Sequence, residues 1–114
     1  MNIPLSKLRL DGETVYLSGE LGFDKNGVLP DGIEAQTRNC IDNIRKTLAT
    51  QGLDLSDVLS CTCYLTDATD FAKFNAVYAD AFGDPLPVRT TVGCFLMLPQ
   101  ARVEITVIAR ARSE

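Results

Sequence analysis

Histidine is absent from all 114 residues, and that absence excludes more than any other feature of the sequence. No Ser-His-Asp triad, Cys-His pair, histidine general base or histidine metal ligand can be built. Tryptophan is also missing, and 3 tyrosines with 5 phenylalanines are too few for a platform on which single-stranded nucleic acid stacks. The net charge of −4, with scattered lysines and arginines, leaves no positive face for a phosphate backbone, so no nucleic-acid partner is expected. No stretch approaches the ~20 apolar residues of a membrane-spanning helix. Met1 to Arg9 lacks a signal-peptide pattern, so no membrane partner and a cytoplasmic location are expected. Cysteine is sparse, at positions 40, 61, 63 and 94. The Cys61-Thr62-Cys63 spacing puts two thiols on one face of extended chain, unlike the C-x-x-C loop of zinc and redox sites. Buried free thiols without disulfide or metal are the expectation.

What is present reads as a globular chain. With 46% hydrophobic and 23% charged residues, positions 1–114 form a single domain of ordinary size. Residues 5–10 and 14–18 alternate around Asp11-Gly12 and predict a hairpin. Asn26-Gly27 and Pro30-Asp31-Gly32 mark a loop. From Ile33 to about Gln51 the period becomes 3.6, with Ile33, Thr37, Cys40, Ile41, Ile44 and Leu48 on one stripe, ended by Gly52. Residues 57–66 alternate again: Leu59, Cys61, Cys63 and Leu65 share one face, and Val58, Ser60, Thr62 and Tyr64 the other. A second helix, capped by Thr66 or Thr69, runs to about Phe82 with Phe71, Phe74, Tyr78 and Phe82 inward. Residues 87–97 and 102–110 are the last strands, joined by a turn at Leu98-Pro99. The order β-β-α-β-α-β-β is a two-layer α+β domain. Two helices cover one sheet face, and the other is not strongly polar, so an oligomer is expected.

Without histidine, chemistry falls to carboxylates, arginines, hydroxyls and thiols. Charges inside apolar strands are informative, because burying an unpaired charge is costly. Arg89 lies between Val88 and Thr90-Thr91-Val92, and Glu104 lies inside Val103-Glu104-Ile105-Thr106-Val107. Antiparallel pairing through the Leu98-Pro99 turn would bring them close. Arginine offers a fork for a substrate carboxylate, and a glutamate in a dry pocket can position a water or pass a proton. The alternative is a plain Arg–Glu salt bridge or a solvated strand face. Tyr16 is expected in the core.

Seven stretches carry a resemblance: Y-L-S-G-E-L at 16–21, Q-T-R-N-C-I-D-N-I at 36–44, G-L-D-L-S-D-V at 52–58, T-D-A-T-D-F-A-K-F-N-A-V-Y at 66–78, P-V-R-T-T-V at 87–92, L-P at 98–99 and V-E-I-T-V-I-A at 103–109. Over nearly the whole chain the sequence resembles the Rid family of enamine/imine deaminases, also called YjgF-type or endoribonuclease L-PSP-like proteins. The resemblance implies a chorismate-mutase-like domain that assembles as a homotrimer, its sheets wrapped into a barrel with a site in each intersubunit cleft. It implies hydrolysis of small imine or enamine carboxylates, such as 2-aminoacrylate and 2-iminopropanoate, to 2-oxo acids and ammonia, without cofactor. It assigns carboxylate binding to Arg89 and water positioning to Glu104, with Ser18, Gly19 and Thr91 lining the pocket and Asn75 and Phe71 supporting it.

The sequence also departs from that family. A G-P-Y-S-Q-A motif with a pocket tyrosine is replaced by L-S-K-L-R-L at 5–10. Thr91 stands where many members have a reactive cysteine, and Glu20 where glutamine is common. The segment between Arg89 and Leu98-Pro99 is one residue longer, with a compensating shortening before Glu104. These changes leave open a divergent subgroup with a different imine substrate or a member with weak deaminase activity. The rival reading is a non-catalytic trimer that binds small carboxylates at Arg89.

Overall fold

The computed structural model describes residues 3–112, so the outermost positions of the 1–114 reading, two at each end, lie outside the described residues. Strands β1 (Leu8–Asp11) and β2 (Thr14–Leu17) form the expected hairpin, with Gly12 supplying the positive φ of 61° at the turn. A two-residue strand β3 (Glu20–Leu21) follows. Helix α1 (Ile33–Ala49) buries Ile33, Gln36, Thr37, Cys40, Ile41, Ile44 and Leu48, the stripe read from the sequence with Gln36 added. Strand β4 (Val58–Leu65) leads through a short 3-10 turn into α2 (Phe71–Ala81), then β5 (Val88–Gly93) and β6 (Val103–Arg110). The turn before α2 is capped by the Asp67 carboxylate, which accepts from the Thr69 N–H, and not by a threonine.

All six strands form one sheet, ordered β1-β2-β6-β4-β5, with β3 also paired to β6. Strands β4 and β5 run parallel, with α2 as their crossover, while β6 runs antiparallel along the other side of β4. This corrects the expected β5–β6 pairing. The chain leaves β5 at Gly93, runs through irregular structure, and returns on the far side of β4. The most apolar strands, β4 and β6, thereby become neighbours in the centre.

Both helices lie on one face, over a core that includes Val15, Leu17, Cys61, Cys63, Leu65, Val103, Ile105 and Val107. Alternation puts Tyr16, Ser60, Thr62, Tyr64, Val88, Thr90, Val92, Glu104, Thr106 and Ile108 on the opposite, open face. Two placements differ from the sequence reading. A bulge between Val58 and Ser60 turns Val58 inward and leaves Leu59 52% exposed. Tyr16 is 45% exposed on the open face and not in the core. Cysteines 40, 61 and 63 are buried free thiols, whereas Cys94 is half-buried. No helix is long and apolar enough to cross a membrane among the described residues.

Candidate functional site

Arg89 pairs across the ladder with Cys61, so its side chain projects to the helical face beneath α2. There the guanidinium carbon lies 4.8 Å from the Tyr78 ring centre, 5.4 Å from Phe74 and 5.8 Å from Phe71. Three π-faces hold the cation electrostatically, and Phe71, 46% exposed, forms the outer edge of this wall. Among the described residues no carboxylate forms a salt bridge with Arg89. Thr91 follows on the same strand face, opposite Cys63. The Thr91 hydroxyl, the Asn75 side-chain oxygen and the Tyr78 hydroxyl are buried without a formed hydrogen bond. Thr91 and Tyr78 instead lie against the thiols of Cys63 and Cys61. Burial pushes both thiols up, Cys63 to about 12, with the neighbouring Cys61 adding to the effect. Both are therefore neutral and unreactive at pH 7. The Tyr78 hydroxyl is raised by burial as well. The arrangement is a guanidinium on an aromatic wall, beside oxygen atoms that lack partners. A small anion with donor and acceptor atoms would satisfy it.

Glu104 occupies a second, separate place. Its neighbours Val103 and Ile105 are fully buried in the core, so Glu104 points to the open face. Between the Tyr16–Ile108 and Glu20–Ile105 pairs, β2 and β3 advance one residue more than β6. The resulting bulge brings the Gly19 backbone onto the carboxylate. A Cβ at Gly19 would lie 2.1 Å from Glu104 Oε2 and 3.1 Å from Thr106 Oγ1. Only glycine allows that approach. Ser18 secures the bulge by donating from Oγ to the Ser6 carbonyl at 2.5 Å and from its N–H to the Lys7 carbonyl at 3.1 Å. The Glu104 carboxyl is held above the ordinary glutamate range, first by burial and then by the charge of Glu20.

The expected site residues thus fall into two groups. Arg89, Thr91, Asn75 and Phe71 gather under α2; Ser18, Gly19 and Glu104 gather on the open face. Arg89 and Glu104 are three residues apart along the strands and two strands apart across them, about 14 Å by strand spacing alone. They also point to opposite faces, so the intrachain salt bridge is not formed and one subunit cannot close both on one small molecule. Sequence reasoning missed Tyr78 and Phe74 as the wall behind Arg89, because aromatics at helical spacing read equally as core. It also missed the Lys7–Glu20 pair, which joins two elements at 3.1 Å. Among the described residues no three metal-ligating side chains cluster.

Comparisons with known proteins agree with this fold. The chain superposes on RidA from an Antarctic Psychrobacter with 34% identity and a TM-score of 0.89, over 94% of this chain and 88% of that one. A YjgF-family member from Neisseria meningitidis matches with 28% identity and a TM-score of 0.90, over 99% and 92% of the two chains. A YjgF/YER057c/UK114-family member from Mycobacterium tuberculosis matches with 31% identity and a TM-score of 0.85, over 95% and 87%. A profile of the endoribonuclease L-PSP family matches residues 4–111. With nearly the whole chain aligned and the architecture shared, the protein belongs to the endoribonuclease L-PSP family, the YjgF/RidA group.

Proposed function

We propose that the protein hydrolyses small imine and enamine carboxylates to 2-oxo acids and ammonia, in a cleft between two subunits of a homotrimer. The observation that carries this reading is the division of the site. Among the described residues, a guanidinium in no salt bridge with a carboxylate lies on one face, and a carboxyl that burial holds above the ordinary glutamate range lies on the other. A cleft where the α2 edge of one subunit meets the open face of the next unites them. The weakly polar open face supports such an assembly.

In this reading Arg89 takes the substrate carboxylate through two N–H donors, with the aromatic wall fixing the plane of the guanidinium. Asn75 and Thr91 offer polar contacts beside it. Glu104 accepts a proton from water as the water oxygen bonds to the imine carbon. The C=N electron pair passes to nitrogen, which takes a proton. Collapse of the carbinolamine then passes the hydroxyl proton through the Glu104 carboxylate to the amino nitrogen, re-forms C=O and breaks the C–N bond, releasing ammonia. A carboxyl raised above its ordinary range suits a group that must accept and return a proton in one cycle. An enamine first takes a proton at its terminal carbon to become the imine.

A carboxylate sensor is the second reading, favoured by the Arg89 pocket being complete in residues without Glu104. A ribonuclease, as the family description would suggest, fits poorly with a chain that has no histidine and a net charge of −4. Purified protein added to enzymatically generated 2-iminopropanoate separates these readings. Accelerated decay to pyruvate and ammonia is expected. Saturable binding of 2-oxo acids with unaccelerated decay would leave the sensor.

A further inference from the structure

The Gly19 backbone faces two side-chain oxygens. A Cβ at Gly19 would lie 2.1 Å from Glu104 Oε2 and 3.1 Å from Thr106 Oγ1. Both residues belong to β6, two positions apart, and so stand together on the open face. Their oxygens converge on one point above the glycine. The other polar groups nearby are occupied elsewhere. Ser18 Oγ donates to the Ser6 carbonyl, the Cys40 thiol to the Glu20 carbonyl, and Lys7 Nζ to the Glu20 carboxylate. Glu20 pairs with Ile105 and takes the helical face, away from this point. Across the ladder, Tyr64 stands opposite Glu104 and Thr62 opposite Thr106, both on the open face and half-buried.

We propose that Thr106 is a water-positioning residue, whose hydroxyl and the Glu104 carboxylate together hold the water that attacks the imine. The proposal rests on the catalytic reading of Glu104 given above only for its effect on rate. A water about 2.8 Å from each oxygen bridges two groups that face the same glycine. One water O–H donates to Glu104 Oε2 and the other to Thr106 Oγ1. Both protons are then fixed, and a lone pair of the water oxygen is left for the imine carbon. As the new C–O bond forms, Glu104 takes the first proton and the C=N electron pair passes to nitrogen. The second proton stays on the oxygen, still bonded to Thr106, as the carbinolamine hydroxyl. Thr62, directly across the ladder, offers an oxygen to which the Thr106 O–H turns. Glycine at position 19 serves the same end, because a side chain there would take the place of the water.

Crystal structures of the full-length protein and of Thr106→Val, which keeps shape and removes the hydroxyl, test the water site without any substrate. A water bridging Glu104 and Thr106 is expected in the wild type and lost in the variant. In the 2-iminopropanoate assay, Thr106→Val should lower kcat about tenfold, the worth of one hydrogen bond. Pyruvate affinity, which Arg89 carries, should stay within about twofold of wild type. Thr106→Ser, which restores the hydroxyl, should recover most of the rate. Wild-type kcat in Thr106→Val, or a bridging water that is missing from the wild type or persists in the variant, overturns the proposal. Equal losses of kcat and pyruvate affinity mark a merely structural role and overturn it too. If Thr106→Val does not fold, Thr106→Ala carries the same readouts. A water lost with the hydroxyl in a protein that hydrolyses no imine upholds the water site and rejects the catalytic reading.

Discussion

Arg89 meets three π-faces and, among the described residues, no carboxylate in a salt bridge, so its loss should be felt mainly by a ligand and little by the fold. Arg89→Ala is expected to weaken 2-oxo acid binding and imine turnover together by about 2–5 kcal/mol, because the ligand charge would be desolvated without a partner. Calorimetric titration with pyruvate and the imine decay assay measure the two effects. Wild-type turnover in a folded variant would defeat the assignment. Glu104 makes the opposite prediction for stability. Its folded-state pKa is raised, so the native state holds more protons than the unfolded chain between the ordinary glutamate value and the raised one. Stability is therefore lost as pH rises through that window, and the whole loss persists at neutral pH. Glu104→Gln should remove this loss and gain up to ~1 kcal/mol above the window, discounted for partial exposure. The gain should vanish below pH ~4, where the unfolded glutamate is also protonated. Thermal melts at pH 4 and pH 7 check the sign. The same variant should lose turnover while keeping carboxylate binding, since an amide holds a water without accepting its proton.

Elements carry the information that single residues do not. The α1 stripe was legible because burial at 3.6 periodicity is local, and its residues Cys40, Ile41, Ile44 and Leu48 are all buried. The partner of β5 was not legible. Turn residues at Leu98-Pro99 suggest a hairpin, but the parallel β4–α2–β5 crossover is fixed by which strands best bury against each other. The β4 bulge was hidden for a related reason: Val58 and Leu59 are both apolar, and only the register with β6 decides which turns inward. Arg89 and Glu104 stood out as residue types, yet their placement on opposite faces depends on nonlocal pairing. Gln36 shows how a polar residue can hold elements together. Its Nε2 donates to the carbonyls of Pro30 and Gln100, each at 2.9 Å, and its Oε1 accepts the Arg102 N–H at 2.8 Å. Gln36→Leu would leave three backbone groups, the carbonyls of Pro30 and Gln100 and the N–H of Arg102, without this partner in a part-buried setting. A loss of about 2–4 kcal/mol is expected in urea unfolding, and a change under ~0.5 kcal/mol would show that water replaces the amide.

At the scale of the whole molecule, the sheet has one face packed by helices and one that carries valines, threonines, two tyrosines, a serine and an isoleucine around the Glu104 carboxylate. The segment after β5 adds Phe95, 96% exposed, and Met97, 91% exposed. Such a surface supports the homotrimer proposed above. Light scattering at micromolar concentration is expected to give three times the chain mass. A stable monomer with full activity would refute the intersubunit cleft.

The opposite orientation of Arg89 and Glu104 has a genetic consequence. If each cleft draws its arginine from one chain and its glutamate from the next, the two lesions belong to different complementation groups. Arg89→Ala and Glu104→Gln proteins, each inactive alone, should regain activity when unfolded together and refolded as mixed trimers. Random mixing at equal amounts restores about one intact cleft in four, since each cleft needs the intact arginine on one side and the intact glutamate on the other. A cell carrying both alleles would keep a working enzyme, while a chain carrying both changes would rescue neither parent.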